Sequence, residues 1–197
     1  MLAFCLFLIA SFSEDTWNYK QNGADWKECI DTVHQKYQSP IDVVTRKAKI
    51  LNNFYFFPRF KPNAEFTVDN LNETLNLRGD FGYLYTITPY SIVMGMRMIG
   101  THLEFHAPSE HTFNGKHIDL EMQIYFENLT YNGDPKMKKM AVSFFFDSVN
   151  NTESSFLKQF VKEGEDPVGK KYTLDMNMLF SPDMVEKYQF YGYRGMK

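Results

Sequence analysis

Cysteine is scarce in this chain of 197 residues: only Cys5 and Cys29 occur, which leaves no material for a disulfide framework. A long basic run is also missing. With 21 Lys and Arg against 24 Asp and Glu, the net charge is −3, so nucleic acid is not expected as a partner. Beyond the first ten residues no apolar run approaches the ~20 residues that a membrane-spanning helix needs, and no span is expected. No internal repeat, low-complexity tract or linker interrupts the chain, so one domain is the economical reading.

What is present suits a globular β protein. Apolar residues make up 44% and aromatics 17%, enough for a core and too apolar for a disordered chain. The 19 Phe and 12 Tyr favour strands. Strand-like runs cover 54–60, 66–68, 74–77, 83–87, 92–98, 101–105, 120–126 and 140–146, with Arg78-Gly79-Asp80, Asn114-Gly115 and Asn132-Gly133-Asp134-Pro135 marking turns. A short helix is expected over 153–162, where Phe156, Leu157, Phe160 and Val161 fall on one helical face. The pattern implies a large sheet with little helix.

The start, Leu2 to Ala10, is an apolar run followed by Ser11 and Ser13, and residues 1–13 read as a signal peptide. The run lacks a basic flank, and a buried strand or helix is the competing reading. Residues 14–197 then form the mature domain, expected to be soluble and secreted. Three glycosylation sequons, at Asn72, Asn128 and Asn150, agree with export. Removal of the leader would leave Cys29 alone, as a free thiol, in an intermolecular bond, or with its partner absent from this chain.

Chemistry concentrates in Leu103-Glu104-Phe105-His106-Ala107-Pro108-Ser109-Glu110-His111-Thr112. Alternate strand residues point to one face, so His102, Glu104 and His106 share a face. Neighbours two apart lie ~6–7 Å apart at Cα and the outer pair ~13 Å. One metal could therefore take an adjacent pair plus a ligand from another strand. The run Leu120 to Tyr125 offers Glu121 and Gln123 on one face.

These residues, with Trp17-Asn18-Tyr19, Gly23-Ala24-Asp25-Trp26, Tyr37-Gln38-Ser39-Pro40-Ile41-Asp42 and Gly115-Lys116-His117, resemble an α-class carbonic anhydrase over roughly residues 17 to 197. The resemblance implies a single α-carbonic-anhydrase-like domain, mostly β, with a large, mainly antiparallel central sheet and a few short helices. Zinc in that family is held by three His. The matching positions here are Glu104, His106 and Gln123, and only His106 keeps the family residue. Glutamine is a poor zinc ligand. An anionic Glu ligand would lower the effective charge of the metal and raise the pKa of its bound water. The cofactor expectation is therefore no zinc, or zinc weakly bound.

Other correspondences follow from the same resemblance. Glu110 matches the acid that orients a Thr hydroxyl in the family. That Thr belongs to a segment following Tyr188 to Gly195, and the chain stops at Lys197. The expectation is a domain lacking the C-terminal strands, with the usual disulfide partner of Cys29 also missing. Asn72 falls at the proton-shuttle position and cannot carry a proton at neutral pH. Glu121 matches the acid that steadies the third His, and its client here would be Gln123. His102 replaces a Gln near the metal, and Tyr125 replaces a small pocket residue. Tyr125 would either fill the space for CO₂ or turn into the core. Met140 and Val142 are expected to line the pocket. His34, His111 and His117 read as structural or surface residues.

Function is thus expected to be that of a secreted carbonic anhydrase-like protein, inactive or strongly impaired in CO₂ hydration, acting as a binding or structural module for an unidentified protein partner. It resembles the carbonic anhydrase-related proteins, which also lack zinc-binding His. The alternative is a zinc-dependent carbonate dehydratase with an altered metal site, handling CO₂ and bicarbonate only if a metal is bound. Changing Glu104→His and Gln123→His is expected to restore zinc better than activity.

Overall fold

The computed structural model describes residues 39–49, 55–71, 74–87, 96–128, 139–148, 154–160, 168–179 and 191–193. The expected leader, Cys29, Asn72 and Asn150 fall outside these residues.

Eleven strands are described: β1 (Asp42–Val43), β2 (Tyr55–Phe60), β3 (Ala64–Leu71), β4 (Thr74–Gly79), β5 (Gly82–Ile87), β6 (Met96–His106), β7 (Thr112–Phe113), β8 (Lys116–His117), β9 (Leu120–Asn128), β10 (Lys139–Phe146) and β11 (Lys171–Leu174). The large sheet runs β10-β9-β6-β4-β3-β11, and β5 and then β2 continue from the other half of β6. Every pairing in it is antiparallel. A small second sheet, β1-β7-β8, contains the only parallel pairing described, β1 with β7. The mostly β, mainly antiparallel architecture agrees with the sequence.

One strand carries a change of phase that the sequence hides. Runs 92–98 and 101–105 look separate because Gly100 interrupts them, yet Met96–His106 is one strand. Its pairing with β9 shifts between Gly100 and His102. Such a bulge inserts one unpaired residue and reverses which side chains face the core. Before it, Met98 points into the core; after it, Leu103 does, and both are fully buried. His102, Glu104 and His106 thereby take the opposite face. A Cβ at Gly100 would lie 3.3 Å from the Phe81 Cβ and 3.4 Å from the Phe126 ring, so the backbone there packs closely.

The core lies on the far face of the sheet. Phe66 and Val68 of β3, Leu77 of β4, Leu103 of β6 and Met122, Ile124 and Phe126 of β9 join Phe81, Leu84, Phe156, Leu174 and Met176 in one cluster. The helix expected over 153–162 is reduced, in its described part, to a single 3₁₀ turn, Leu157–Gln159. Phe156 and Phe160 flank that turn and meet edge-on at 5.3 Å, and Phe160 also meets Phe105 at 5.3 Å. These rings anchor both ends of the turn to the core within a few residues, which favours one tight turn over an extended helix.

The Asn114-Gly115 turn is borne out. Both residues have positive φ, 50° and 79°, the geometry of a two-residue hairpin, and they join β7 to β8. This hairpin docks on the Ser39 to Asp42 motif: Thr112 Oγ1 and the Gly115 amide both donate to Asp42 Oδ1, at 2.9 and 2.8 Å. Leu103 is central to the packing, between Leu77 and Ile124 on neighbouring strands. Leu103→Ala is expected to destabilise the domain by about 2–5 kcal/mol. Urea unfolding monitored by tryptophan fluorescence measures the loss, and a change as small as that of an exposed control, Tyr85→Ala, would show that the core is misplaced.

Candidate functional site

The site is a polar stripe on the face opposite the core, and antiparallel register creates it. Across β6 and β9, His102 faces Tyr125, Glu104 faces Gln123 and His106 faces Glu121. On the other side of β6, Asn76 of β4 faces Glu104. Directly opposed residues project to the same face, so six side chains from two strands and one from a third converge. Glu121 is 0% exposed and Gln123 2%. Groups buried this far from water must be hydrogen-bonded within the protein.

Glu121 meets that demand through the turn after β6. Its Oε2 accepts the His111 amide at 2.9 Å, and its Oε1 accepts His111 Nδ1–H at 2.6 Å. Burial alone would raise its pKa, but the His111 side-chain and backbone bonds and the His111 charge outweigh burial and hold it at about 2. His111 Nε2 in turn meets the Tyr193 hydroxyl at 2.6 Å, and that hydroxyl bonds Ser39 Oγ. Burial raises the Tyr193 pKa, against the Ser39 bond and with the Glu121 and Glu110 charges adding to the rise.

Gln123 is the centre of the stripe. Its amide nitrogen donates to Glu110 Oε2 at 2.8 Å and to Glu121 Oε1 at 2.9 Å, which uses both hydrogens. Its oxygen accepts the Tyr125 hydroxyl at 2.6 Å. Glu104 Oε1 accepts from Asn76 Nδ2 at 3.2 Å. The carboxylates of Glu104 and Glu110 flank His106, with Glu104 Oε2 3.6 Å from Nε2 and Glu110 Oε1 3.7 Å from Nδ1. The His102 ring lies flat on Tyr125, with centroids 4.4 Å apart and planes 4° from parallel. His102 Nδ1 bonds Thr101 Oγ1 at 3.0 Å, and burial keeps its pKa below the usual value against the pull of Glu104.

Glu104, His106, Glu110, Glu121, Gln123, Tyr125 and His102 are thus brought together as the sequence suggests. Gln123 donates to Glu121, the partner expected for it. Tyr125 stays on the site face and does not turn into the core. Met140 and Val142 are a correction. Register pairs them with Phe126 and Ile124, and they pack against the core on the far face. Ala141 and Ser143 take the site side, opposite Tyr125 and Gln123; a shift of one residue along a strand reverses the face. Asn128 ends β9, half-buried and opposite Met98. His117 donates from Nδ1 to the Ser109 carbonyl, a structural bond. Sequence reading missed Asn76, Ser39 and Tyr193. Asn76 alternates with Leu75 and Leu77, a polar interruption that marks the second face of β4.

These residues do not fit a zinc ion of the family kind. The only Gln123 atom able to ligate a metal is its oxygen, a poor zinc donor that already accepts the Tyr125 hydroxyl on one of its two lone pairs. Glu104 accepts from Asn76 and lies 3.6 Å from His106 Nε2 and 4.0 Å from His102 Nε2. Among the described residues no three His, Cys, Asp or Glu side chains converge as a metal-ligand set. The donor set is carboxylate and amide around one imidazole, tied together by hydrogen bonds at Gln123 and Glu121, while His106 Nε2 makes no hydrogen bond among the described residues.

The model of eukaryotic-type carbonic anhydrases matches residues 21–196. Alpha carbonic anhydrase 4 of Arabidopsis thaliana is 30% identical over 103 residues, covering 50% of this chain and 34% of that protein. Alpha carbonic anhydrase 2 of the same plant is 25% identical over 124 residues, covering 57% and 46%. The matched region thus spans less than half the length of these curated relatives. The α-carbonic anhydrase of Thermovibrio ammonificans, solved in complex with the inhibitor sulfanilamide, superposes with a TM-score of 0.52 at 25% identity, over 75% of this chain and 61% of that one. The Photobacterium profundum α-carbonic anhydrase shares the fold at a TM-score of 0.55 and 17% identity, over 85% and 72%. With its sheet, its motifs and nearly its whole length matched, the chain belongs to the eukaryotic-type carbonic anhydrase family.

Proposed function

We propose that this protein is a secreted carbonic anhydrase-like module, silent or strongly impaired in CO₂ hydration, that serves by binding a protein partner. The observation that carries this reading is the bonding of Gln123. The side chain at a family ligand position spends its two hydrogens on Glu110 and Glu121 and its oxygen on Tyr125. Hydration of CO₂ at neutral pH needs a water made acidic by a cation, and these residues supply hydrogen bonds in place of metal bonds. Glu110, the family's orienting acid, is engaged with Gln123. The apolar start and the three sequons support export and glycosylation. Among the described residues no helix is long and apolar enough to cross a membrane.

One observation favours a second reading, a carbonate dehydratase with an altered zinc site. Glu104 Oε2 and His106 Nε2 are 3.6 Å apart, near the ~3.4 Å that two ligands at ~2.1 Å from a tetrahedral zinc would show. It needs a third donor, and the one Gln123 offers is an oxygen that already accepts the Tyr125 hydroxyl.

Stopped-flow CO₂ hydration with added zinc separates the two. The first reading predicts a rate indistinguishable from buffer, and no change in thermal midpoint with sulfanilamide, the inhibitor bound to the Thermovibrio ammonificans relative. Zinc-dependent hydration that is lost in His106→Ala would establish the second reading.

A structural role for the stripe also has a pH signature. The Glu121 pKa is depressed from 4.5 to about 2. A depressed carboxylate stabilises the fold fully above its unfolded value and loses that contribution as pH falls through the folded value. Stability should therefore decline by a few kcal/mol as pH falls from 4.5 towards about 2. Glu121→Gln should be less stable at pH 6 and lack this part of the decline. Urea midpoints between pH 6 and pH 3 measure it, and parallel curves for the two proteins would refute the assignment.

A further inference from the structure

The residue that closes the site is not itself at a ligand position. Tyr125 lies two residues after Gln123 on β9, on the same face, and opposite His102. Its ring is held flat against the His102 imidazole at 4.4 Å, and His102 is tied through Nδ1 to Thr101, the residue at the shift in β6 register. Thr101 Oγ1 also reaches back to the Tyr125 carbonyl at 3.4 Å. A phenol clamped in this way has little freedom at χ1 and χ2, and its hydroxyl is delivered to Gln123 Oε1 at 2.6 Å.

We propose that Tyr125 is a lock on the site: its hydroxyl, braced by the His102 stack, holds the acceptor at position 123 and excludes a metal from it. Zinc bonds to oxygen and nitrogen donors at ~2.0–2.2 Å. A hydroxyl already seated 2.6 Å from the acceptor takes one of the two lone pairs of an amide oxygen, and would take the single lone pair of an imidazole nitrogen. A side chain of similar reach at position 123 meets the same hydroxyl, and an imidazole nitrogen accepts a phenolic hydrogen bond as readily as an amide oxygen does. The lock therefore outlasts replacement of Gln123. Histidine at positions 104 and 123 is then not sufficient for tight zinc. Tyr125 acts through its neighbour, as a positioning residue.

The proposal rests on the reading that the unchanged chain carries no resident zinc, and the two fail separately. Zinc in the unchanged chain would sink that reading. The lock is tested by comparing two full-length variants, E104H/Q123H and E104H/Q123H/Y125V, by equilibrium dialysis against Zn²⁺ and by thermal midpoint with and without Zn²⁺. The triple variant should bind at least tenfold more tightly and show the larger zinc-dependent rise in midpoint. Equal affinity, or a folded triple variant that takes up no zinc, overturns the lock.

If the triple variant does not fold, E104H/Q123H/Y125F takes its place, since it keeps the ring and removes only the hydroxyl. It should also bind Zn²⁺ at least tenfold more tightly than E104H/Q123H, and equal affinity would overturn the proposal.

Discussion

A carboxylate with no access to water must be satisfied by the protein around it, and Glu121 imposes that condition on this fold. Its side chain is fully buried on β9. The bonds that satisfy it tie β9 to the turn after β6 through His111, and His111 extends the chain to Tyr193 and Ser39. The segment from Ser109 to His111 is therefore placed by a charge and not by apolar packing alone. Ser109 reinforces it, accepting the Ile118 amide at 2.9 Å and donating to the His111 carbonyl at 2.6 Å. Removing the partner of a buried, hydrogen-bonded carboxylate costs more than the bond contributes, because the carboxylate keeps its desolvation penalty.

The second constraint is the shift between Gly100 and His102. A strand of strict alternation cannot put Met98 and Leu103 on the same core face, since they are an odd number of residues apart. The inserted residue resolves the conflict and sends His102, Glu104 and His106 to the other side. Glu110, Gln123 and Tyr125 then meet them as one connected network. Such a network is favourable only when its members are satisfied together. On the function proposed above, a metal entering the site would have to displace hydrogen bonds that hold buried polar groups.

Much of the architecture was legible from residue patterns. Aromatic and β-branched runs marked most of the large sheet, and Asn114-Gly115 marked its hairpin. The convergence of Glu104, His106 and Gln123 followed from alternation plus the family motif. What escaped notice shares one physical cause. Strand pairing is non-local, and a phase error of one residue is invisible until the partner strand is known; hence Met140 and Val142 were assigned to the wrong face, and β6 looked broken at Gly100. Tyr193 and Ser39 are far from His111 in sequence, and no local pattern links them. The bond from Tyr125 to Gln123 could not be read either, because period two places both side chains on one face but does not say which atoms touch.

The account holds that hydrogen bonds have replaced metal coordination at the family ligand positions. Zinc content of the folded protein exported from eukaryotic cells, measured by plasma mass spectrometry against protein concentration, tests this most directly. The account predicts far less than one zinc per chain in a monodisperse, cooperatively folding sample. One tightly held zinc per chain, released by His106→Ala, would contradict it.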